Sequence, residues 1–384
     1  MLADHAEQAP SMPQKDYNDP AAWTFQTDCS ARESRLSDEK TRLFSADDHR
    51  LEVICVSGAE SERPGTRVQW ILRDVEQLLA KLNDPTCRSA SGRIFYVTQS
   101  YTWSTLQISE EMFRQLRSSL GVNPRFLDIV QLFGEKAGPV EESHTSFFGH
   151  LSPHRSPQSL DIASQRCSFE LGYSVKHVER HGRPFPSDPF SIRETGVYHK
   201  WDANVGNNTW IFIQPSKATK ADIDKLSSQL PEAFQFQIHI AVLLGASEDW
   251  RYYTNYLEDS FSKLIDRSFF TKVKGPTTQG GIDVDFNDIR KLQILTDKLC
   301  RIAHILSLNI NAGHQIQRLV QQLRNAWQPL DTPMTWALND FEAKAGESIF
   351  CNQTHKARVD SMLRRSEGIS SLVYPLLSET CDGF

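Results

Sequence analysis

The chain has 384 residues, enough for one large domain or two ordinary ones, and its 39% hydrophobic and 23% charged residues are typical of a globular, water-soluble protein. Its net charge of −6 argues against a protein that neutralises nucleic-acid phosphates, because that function requires a basic face. We therefore expect no nucleic-acid partner. The longest uncharged run, around AFQFQIHIAVLLGAS, falls short of the roughly 20 apolar residues that cross a bilayer, so no membrane span is predicted.

The N-terminal stretch MLADHAEQAPSMPQKDYNDP is acidic and proline-rich, and it lacks the basic start and apolar run of a signal peptide. We therefore predict a disordered tail over residues 1–45 of a cytoplasmic protein. Seven cysteines are scattered singly without a C-x-x-C pair, which is a poor framework for disulfides or for zinc. They are interpreted as buried or incidental thiols.

The sequence predicts an α/β domain, a mixed sheet with flanking helices, over residues 46–220. RLEVICVS from Arg50 and RIFYVTQSYTW from Arg93 have the β-branched and aromatic content of strands. Between them, RVQWILRDVEQLLAKLND places apolar residues at helical spacing and predicts a helix. In ISEEMFRQLRSSLG, Ser109 is expected to cap a helix that ends at Gly121.

Further strands complete this predicted domain. The stretch 150–160, rich in Pro, Ser and His, is predicted to be a loop. SFELGYSVKHVE, FSIRETGVYHKWD and NTWIFIQPS predict three more strands. The segment ANVGNN, between the last two, carries the Gly and Asn that a hairpin connection uses.

Long helices are predicted over residues 221–378, in the segments 232–270, 286–325 and 335–378, because apolar residues recur there every three or four positions. A helix of about 38 residues extends for roughly 57 Å at 1.5 Å per residue. Such a helix is expected to lie against other long helices. Residues 379–384 are predicted to be a short tail.

The densest group of carboxylates lies in DVDFND, where Asp283, Asp285 and Asp288 precede a long predicted helix. The pattern imitates the start of an EF-hand loop, but its sixth position is Asp288 in place of Gly and its twelfth is Ile294 in place of Glu. Acidic capping of the helix by Asp285 or Asn287 is the favoured interpretation. The three aspartates are the candidate metal ligands, for a surface site that would take a divalent cation such as Mg²⁺.

Other candidate sites have simpler interpretations. His144, His150, His154 and Cys167 lie close in sequence, but their spacing matches no zinc pattern, so solvated histidines are expected. The aromatic stripe that starts at Trp250 in SEDWRYYTNYLEDSFSKL is expected to pack in a core. G-x-S-x-G, Walker, G-x-G-x-x-G and H-E-x-x-H motifs do not occur. The sequence therefore predicts no catalytic or cofactor-binding residue and favours a protein that is not an enzyme.

Four stretches resemble the cytoplasmic region of the CorA family of magnesium transporters, and more narrowly that of fungal CorA-like transporter proteins. They are YVTQSYTWSTLQISEEMFRQLRSSLGVNPRFLDIVQLFG, SFELGYSVKHVERHGRPFPSDPFSIRETGVYHKWD, TWIFIQPS and DWRYYTNYLEDSF. The resemblance extends over most of residues 50–378. It implies an α/β domain followed by long helices, the last of which, HKARVDSMLRRSEGISSLVYPLL, is similar to the stalk helix of the family.

The resemblance also implies a mode of action. In the family, pentamers sense magnesium through interface carboxylates, and the stalk continues into a membrane helix that ends in Gly-Met-Asn, a motif this chain lacks. No sensor residue is carried over. We expect a soluble, non-enzymatic regulatory or interaction protein whose partners are copies of itself or a full-length CorA-like relative, so that it meets a membrane only through them. Two alternatives stay open: an accessory protein of a fungal secondary-metabolite pathway, and a truncated form of a CorA-type magnesium transporter.

Overall fold

The computed structural model of the protein describes residues 20–57, 67–138, 144–152, 167–183, 188–203, 205–227, 234–270, 286–328, 330 and 332–381. Within these residues, a mixed seven-stranded sheet carries helices on both faces and is followed by long C-terminal helices. The predicted fold class is confirmed.

The strands are β1 (Leu51–Val56), β2 (Arg67–Leu72), β3 (Gly92–Val97), β4 (Phe147–Ser152), β5 (Ser168–Arg180), β6 (Phe190–Asp202) and β7 (Asn207–Ile213). Across the sheet they follow the order β2-β1-β3-β7-β6-β5-β4. β3 and β7 run parallel, and every other neighbouring pair is antiparallel. The chain therefore returns to the middle of the sheet with β7, beside a strand that lies more than a hundred residues earlier.

The helices of the described residues are α1 (Pro20–Asp38), α2 (Lys40–Leu43), α3 (Val75–Asn83), α4 (Pro85–Arg88), α5 (Glu110–Leu120), α6 (Leu127–Val130), α7 (Lys217–Ser227), α8 (Phe234–Gly245), α9 (Trp250–Phe270), α10 (Phe286–Ala326) and α11 (Thr332–Cys381). A single 3₁₀ turn, Pro124–Phe126, precedes α6. The two C-terminal helices, of 41 and 50 residues, are the long helices that the sequence predicts.

Hydrophobic cores lie on both faces of the sheet, because successive side chains of a strand point to opposite faces. On one face the sheet packs against α3, α5 and α6, and this core contains Phe95 of β3 and Phe113 of α5. On the other face it packs against α7, α8, α10 and α11, and this core contains Trp210 of β7 and Phe341 of α11. Strands buried on both faces are apolar at nearly every position, which explains runs such as LEVICV.

A third core forms where α9, α10 and α11 meet. Trp250, Tyr253 and Leu257 are at most 2% exposed there, so the predicted core packing of the aromatic stripe is confirmed. α10 contributes Leu299 to this core and Ile316 to the core under the sheet. The long helices therefore share their packing with the α/β region, and the division of the chain at residue 220 stays a prediction.

The segment predicted as one helix between β1 and β3 is a strand followed by a helix. Residues 67–72 form β2, antiparallel to β1, and only α3 matches the helical prediction. In β2 the apolar residues Val68, Trp70 and Leu72 are the less exposed positions, which is the two-residue period of a strand. Asp74 then starts α3, because its side chain accepts a hydrogen bond from the backbone N–H of Gln77. Three apolar residues at this spacing are too few to distinguish the two periods.

The predicted disordered tail is wrong for residues 20–45, where α1 and α2 are formed. These residues are ordered because α1 contacts residues that lie far along the chain. Arg32 forms an ion pair with Asp128 at 2.8 Å, and Glu33 forms one with Arg117 at 2.7 Å. Leu36 is fully buried in the same interface. Residues 1–19 lie outside the described part of the chain.

Two other boundaries differ from prediction. The helix predicted over 232–270 is broken into α8 and α9, because the carbonyl of Asp249 accepts the N–H groups of Tyr252 and Tyr253 and so starts a new helix. Residues 150–152, predicted as the start of a loop, belong to the edge strand β4. The remainder of that predicted loop from residue 153 lies outside the described residues.

The termini of α5 are those that the sequence predicts. The Ser109 hydroxyl accepts the backbone N–H of Met112, and Gly121 ends the helix with φ of 57°, in the left-handed region that suits glycine. β6 and β7 form the predicted hairpin, in which Asp202 lies opposite Asn207. The other predicted strands, β1, β3 and β5, are confirmed as well.

Candidate functional site

The structure describes one of the three aspartates of the predicted metal site. Asp283 and Asp285 lie outside the described residues. Asp288 lies in the first turn of α10, where its Oδ1 is 3.6 Å from the Lys291 Nζ and its side chain is 7% exposed. Asn287 lies inside α10, which begins at Phe286, so it is not the helix cap. Among the described residues, no three His, Cys, Asp or Glu side chains are grouped to hold a metal ion.

The histidines near the predicted loop are apart from one another. His144 and His150 are exposed, which confirms their interpretation as solvated, and His154 lies outside the described residues. Cys167 is buried, and its carbonyl accepts the indole N–H of Trp327 at 3.0 Å. The two described histidines therefore lie at the surface, and Cys167 belongs to the core.

A cleft lies at the carboxyl end of the parallel pair β3 and β7, and we call it the β3–β7 cleft. The carboxyl ends of parallel strands are the usual position of ligand sites in α/β sheets. The cavity volume is about 40 Å³, which accommodates a few water molecules or a small ion. The cleft is lined by Gln99, Thr102, Trp103, Leu132, Phe133, Gly134, Lys136, Lys176, Ile192, Arg193, Glu194 and Gln214.

Two residues of the β3–β7 cleft have a strained backbone. Trp103 and Gln214 have φ of 73° and 50°, and among the described residues they are the non-glycine residues with positive φ. Such conformations cost on the order of 1–3 kcal/mol each and persist only where surrounding contacts enforce them. Gln214 has these contacts, since its N–H donates to the Val97 carbonyl at 3.0 Å and its carbonyl accepts the Thr195 hydroxyl at 3.2 Å. Strain of this kind is characteristic of binding and catalytic sites.

A buried ion pair forms one wall of the cleft. Lys176 of β5 and Glu194 of β6 are cross-strand neighbours, and their Nζ and Oε1 atoms are 2.8 Å apart. The side chains are 2% and 13% exposed. The Lys176 ammonium also donates to the His144 carbonyl at 2.7 Å. The ion pair and this hydrogen bond compensate the ammonium for its loss of water.

The next cross-strand pair brings a second cation to the cleft. Arg193 lies opposite His177, forms an ion pair with Glu179 and donates to the Thr102 hydroxyl. His177 is buried, and burial together with the neighbouring guanidinium lowers its pKa to about 4. Its imidazole is therefore neutral at pH 7 and adds no charge to this wall.

A separate chain of buried hydrogen bonds crosses from the sheet to α8. The Tyr173 hydroxyl is 2.9 Å from His239 Nδ1, His239 Nε2 is 3.0 Å from His199 Nδ1, and His199 Nε2 is 2.9 Å from Asn208 Oδ1. Burial lowers the pKa of His199 to about 3 and that of His239 well below its ordinary value, with His199 adding to the second shift. Both rings are neutral, and the His199 ring also stacks on Trp210 at 3.6 Å.

The positions of the protons in this chain of hydrogen bonds follow from the groups at its two ends, Asn208 and Tyr173. The Asn208 oxygen can only accept, so His199 carries its proton on Nε2 and accepts at Nδ1. His239 must then donate from Nε2 and accept from the Tyr173 hydroxyl at Nδ1. One arrangement of protons satisfies all three hydrogen bonds, which is the condition under which a buried polar network stabilises a core.

The solvent face of α11 carries large aromatic residues. Trp336 and Phe350 are 71% and 68% exposed, whereas Leu338 and Phe341 on the opposite side of the helix are fully buried. The two exposed residues are separated by 14 positions, about four helical turns, and therefore lie on the same side of α11. We call them the aromatic pair of α11.

Two features of the sequence indicate the buried ion pair of the cleft. Lys176 interrupts an apolar strand pattern in GYSVKHVE, and a carboxylate occurs in the neighbouring strand segment IRETG. A charge within a buried strand implies a partner in the adjacent strand. The strain at Trp103 has no sequence signal, because nothing in YTWST distinguishes a left-handed residue from its neighbours.

The fold is a mixed α/β sheet that is covered by helices on both faces. Two long helices lie partly on this sheet and partly beyond it. The family model described as CorA-like transporters matches residues 6–269, and the chain belongs to this family. The resemblance to CorA-type proteins is thereby confirmed at the level of the family, and its narrower assignment to fungal proteins stays a prediction.

Among solved structures, the chain is similar to the full-length CmaX protein, with 10% identity, 88% of this chain and 83% of that chain covered, and a TM-score of 0.41. Another is the ZntB cytoplasmic domain from Vibrio parahaemolyticus, with 10% identity, 83% and 98% covered, and a TM-score of 0.36. No curated protein sequence matches the chain. Across the described residues, no helix has both the length and the apolar character needed to span a membrane.

Proposed function

We propose that the chain is a regulatory and interaction module of divalent-cation transport, which acts in the cytoplasm by associating with another CorA-like chain and not by catalysis. Its membership of the CorA-like transporters supports the connection with transport. The partner in this proposal is a second copy of the chain or a full-length relative.

The observation that carries the proposal is the aromatic pair of α11. A buried Trp or Phe contributes strongly to protein interfaces, and exposed residues of this kind on one face of a helix mark an interaction site. α11 already packs its other face against α8, α9 and α10, so its solvent face is available to a further chain. A partner helix that covers both Trp336 and Phe350 would bury apolar area over about four turns.

The concentration dependence of the native mass tests this proposal. Trp336→Ala and Phe350→Ala remove rings that are mostly exposed, and we expect each to weaken association by about tenfold or more. Tyr101→Ala is the matched control, because Tyr101 is 64% exposed but lies on a loop after β3. Equal association of all three variants and the wild type would contradict the role of α11.

A second candidate, transport by a longer product that includes this chain, is favoured by the description of the family itself. Sequencing of the transcript across the codon of Phe384 tests it. An in-frame apolar run of about 20 residues would support this candidate, and a stop codon would leave the module proposal. The biosynthetic-pathway alternative stays a prediction that no contact or comparison favours.

A further inference from the structure

The exposed side of α11 carries residues of alternating size at intervals of seven positions. Trp336, Ala343, Phe350 and Ala357 are all exposed, and each is seven residues from the next. Seven residues make nearly two full turns of a helix, so the four side chains form one row along α11, which we call the α11 row. The row contains the aromatic pair of α11 and adds to it two alanines, in the order large, small, large, small.

This order is complementary to itself when one of two helices is reversed. In an antiparallel pair of α11 helices, Trp336 of each copy lies opposite Ala357 of the other while Phe350 lies opposite Ala343, so that every ring faces a methyl group. Large residues that face small ones interdigitate and allow close packing. We propose that a second copy of this chain covers the α11 row in this antiparallel arrangement. The inference rests on the proposed association through α11, and it specifies the partner and the geometry.

A parallel pair in register lacks this complementarity. Each residue of the α11 row would then meet its own counterpart, Trp336 against Trp336 and Ala343 against Ala343. Opposed aromatic rings hold the helices apart, and the alanine layer between them is left without partner atoms. In the antiparallel arrangement both chains use the same patch about a two-fold axis, so the contact is complete with two chains. The row therefore favours an antiparallel dimer.

The centre of the α11 row is suited to a close approach of two helices. The two-fold axis passes between Gly346 and Glu347, midway between Ala343 and Phe350. Outside α11 itself, the nearest atom that a methyl group at Gly346 would meet is the Gln317 side-chain nitrogen at 4.0 Å. The single chain therefore has room for alanine there, which forms helices better than glycine. A second helix that approaches at this point would use the missing side chain.

The charges beside the α11 row are compatible with a second copy. Lys344 and Glu347 form an ion pair at 3.1 Å, and their side chains are 45% and 54% exposed. Near the axis the same pair of the second copy lies alongside, so four charges of alternating sign sum to zero. Asp340 accepts a hydrogen bond from the Gln237 side chain and lies about 10 Å along the helix from the axis. The two copies of Asp340 are therefore about 20 Å apart and do not repel strongly.

The packing of α11 within one chain leaves room for the reversed copy. Leu338 and Phe341, in the first half of α11, belong to the core under the sheet. Val359 and Met362, in the second half, belong to the core formed with α9 and α10. Reversal of one helix therefore places the two sheets towards opposite ends of the helix pair, where they do not compete for space.

An exchange of residue sizes tests the contact between Phe350 and Ala343. We expect light scattering to give a mass of two chains for the wild type, and Phe350→Ala or Ala343→Phe alone to raise the dissociation constant by about tenfold or more. The double variant again places a ring opposite a methyl group, so its dissociation constant should return close to that of the wild type. Phe350→Ala combined with Ala357→Phe is the matched control, and it should not recover. A double variant no stronger than this control would overturn the proposal.

A cysteine near the axis tests the direction of the helices. Residue 347 of one copy lies about 1.5 Å along the helix axis from residue 347 of the other, whereas the two copies of residue 354 are about 22 Å apart. A disulfide requires Cα atoms about 4.4–6.8 Å apart. Glu347→Cys should therefore crosslink two chains in the presence of oxidised glutathione, and Thr354→Cys, which is exposed on the same side, should not. The wild type gives the background from native cysteines, and peptide mass spectrometry identifies the bond.

The outcomes separate this inference from the proposed function. A wild type that stays a single chain and binds no full-length CorA-like relative would contradict the proposed function, and this inference with it. A wild type that binds such a relative but stays a single chain, or that assembles into five chains, would overturn the antiparallel dimer alone. Equal crosslinking by Glu347→Cys and Thr354→Cys would indicate a parallel pair and would likewise overturn the dimer proposed here.

Discussion

Asn309 of α10 completes the hydrogen bonding of β5 at Lys176. The Asn309 side chain accepts the Lys176 N–H at 2.9 Å and donates to the Lys176 carbonyl at 2.7 Å, which is the pairing that a neighbouring strand would supply. β4 pairs with β5 as far as Tyr173, and beyond that point the described residues place no further strand along this edge. The long helix therefore closes the edge of the sheet next to the cleft.

Removal of this contact should destabilise the protein. Asn309→Ala leaves two buried backbone groups without partners, and each such group costs about 1–3 kcal/mol, so the expected loss is about 2–6 kcal/mol. Urea unfolding followed by circular dichroism measures it. The control is Asn311→Ala, two residues along the same helix at an exposed position, where a change within about 0.5 kcal/mol is expected. Similar losses for the two variants would show that the pairing at Lys176 contributes nothing specific.

The stability of the protein should fall as the pH falls below about 6.5, the ordinary pKa of histidine. Burial lowers the pKa of His177 to about 4 and that of His199 to about 3, and that of His239 is also well below its ordinary value. The unfolded chain therefore binds protons that the folded chain does not. The stabilisation is fully present above pH 6.5 and is lost as the pH decreases towards 4.

The expected size of this effect is about 2 kcal/mol per buried histidine at pH 5. Urea unfolding at a series of pH values between 7.5 and 5 gives the number of protons taken up on unfolding from the slope of the free energy. Three buried histidines predict an uptake that approaches three protons near pH 5.5. An uptake near zero would contradict the neutral, buried state of these rings.

The hydrogen-bond chain at α8 makes a prediction about tautomers. Both His199 and His239 should carry their proton on Nε2 at pH 7, which two-dimensional ¹⁵N spectra of the imidazole rings determine directly. Tyr173→Phe removes the donor to His239 and should cost about 1–3 kcal/mol, because it leaves a buried acceptor unsatisfied. Tyr101→Phe at an exposed position should cost little. A proton on Nδ1 of either ring would refute the assigned direction.

The attachment of α1 should depend on ionic strength. Arg32 with Asp128, and Glu33 with Arg114 and Arg117, are among the ion pairs that connect this helix to α5 and α6. Glu33→Gln should increase amide hydrogen exchange in α1 while lowering the global stability by about 1 kcal/mol or less, since partly exposed pairs are weak. Glu111→Gln, at an exposed position of α5 outside these ion pairs, is the control. Unchanged exchange in α1 would show that its apolar contacts suffice.

Local signals in the sequence predict much of the fold. The strands β1, β3, β5, β6 and β7 follow from β-branched and aromatic runs, and α5 follows from Ser109 and Gly121, because each of these features acts within a few residues. α1 and the β3–β7 cleft could not be predicted, since Arg32 meets Asp128 and Lys176 meets Glu194 only after the chain has folded. The strain at Trp103 likewise arises from its tertiary surroundings. The aromatic pair of α11 was missed because the helical pattern does not distinguish Trp336 and Phe350 from residues that are buried.

The native mass of the purified chain, measured by light scattering with and without millimolar magnesium, tests the central claim most directly. The chain has a mass of 43.7 kDa, and we predict a multiple of this mass that falls to the mass of the monomer with Trp336→Ala and Phe350→Ala. A mass near five chains that requires the ion would match the assembly expected from the family resemblance. A mass of one chain under both conditions, together with no binding to a full-length CorA-like relative, would contradict the proposed function.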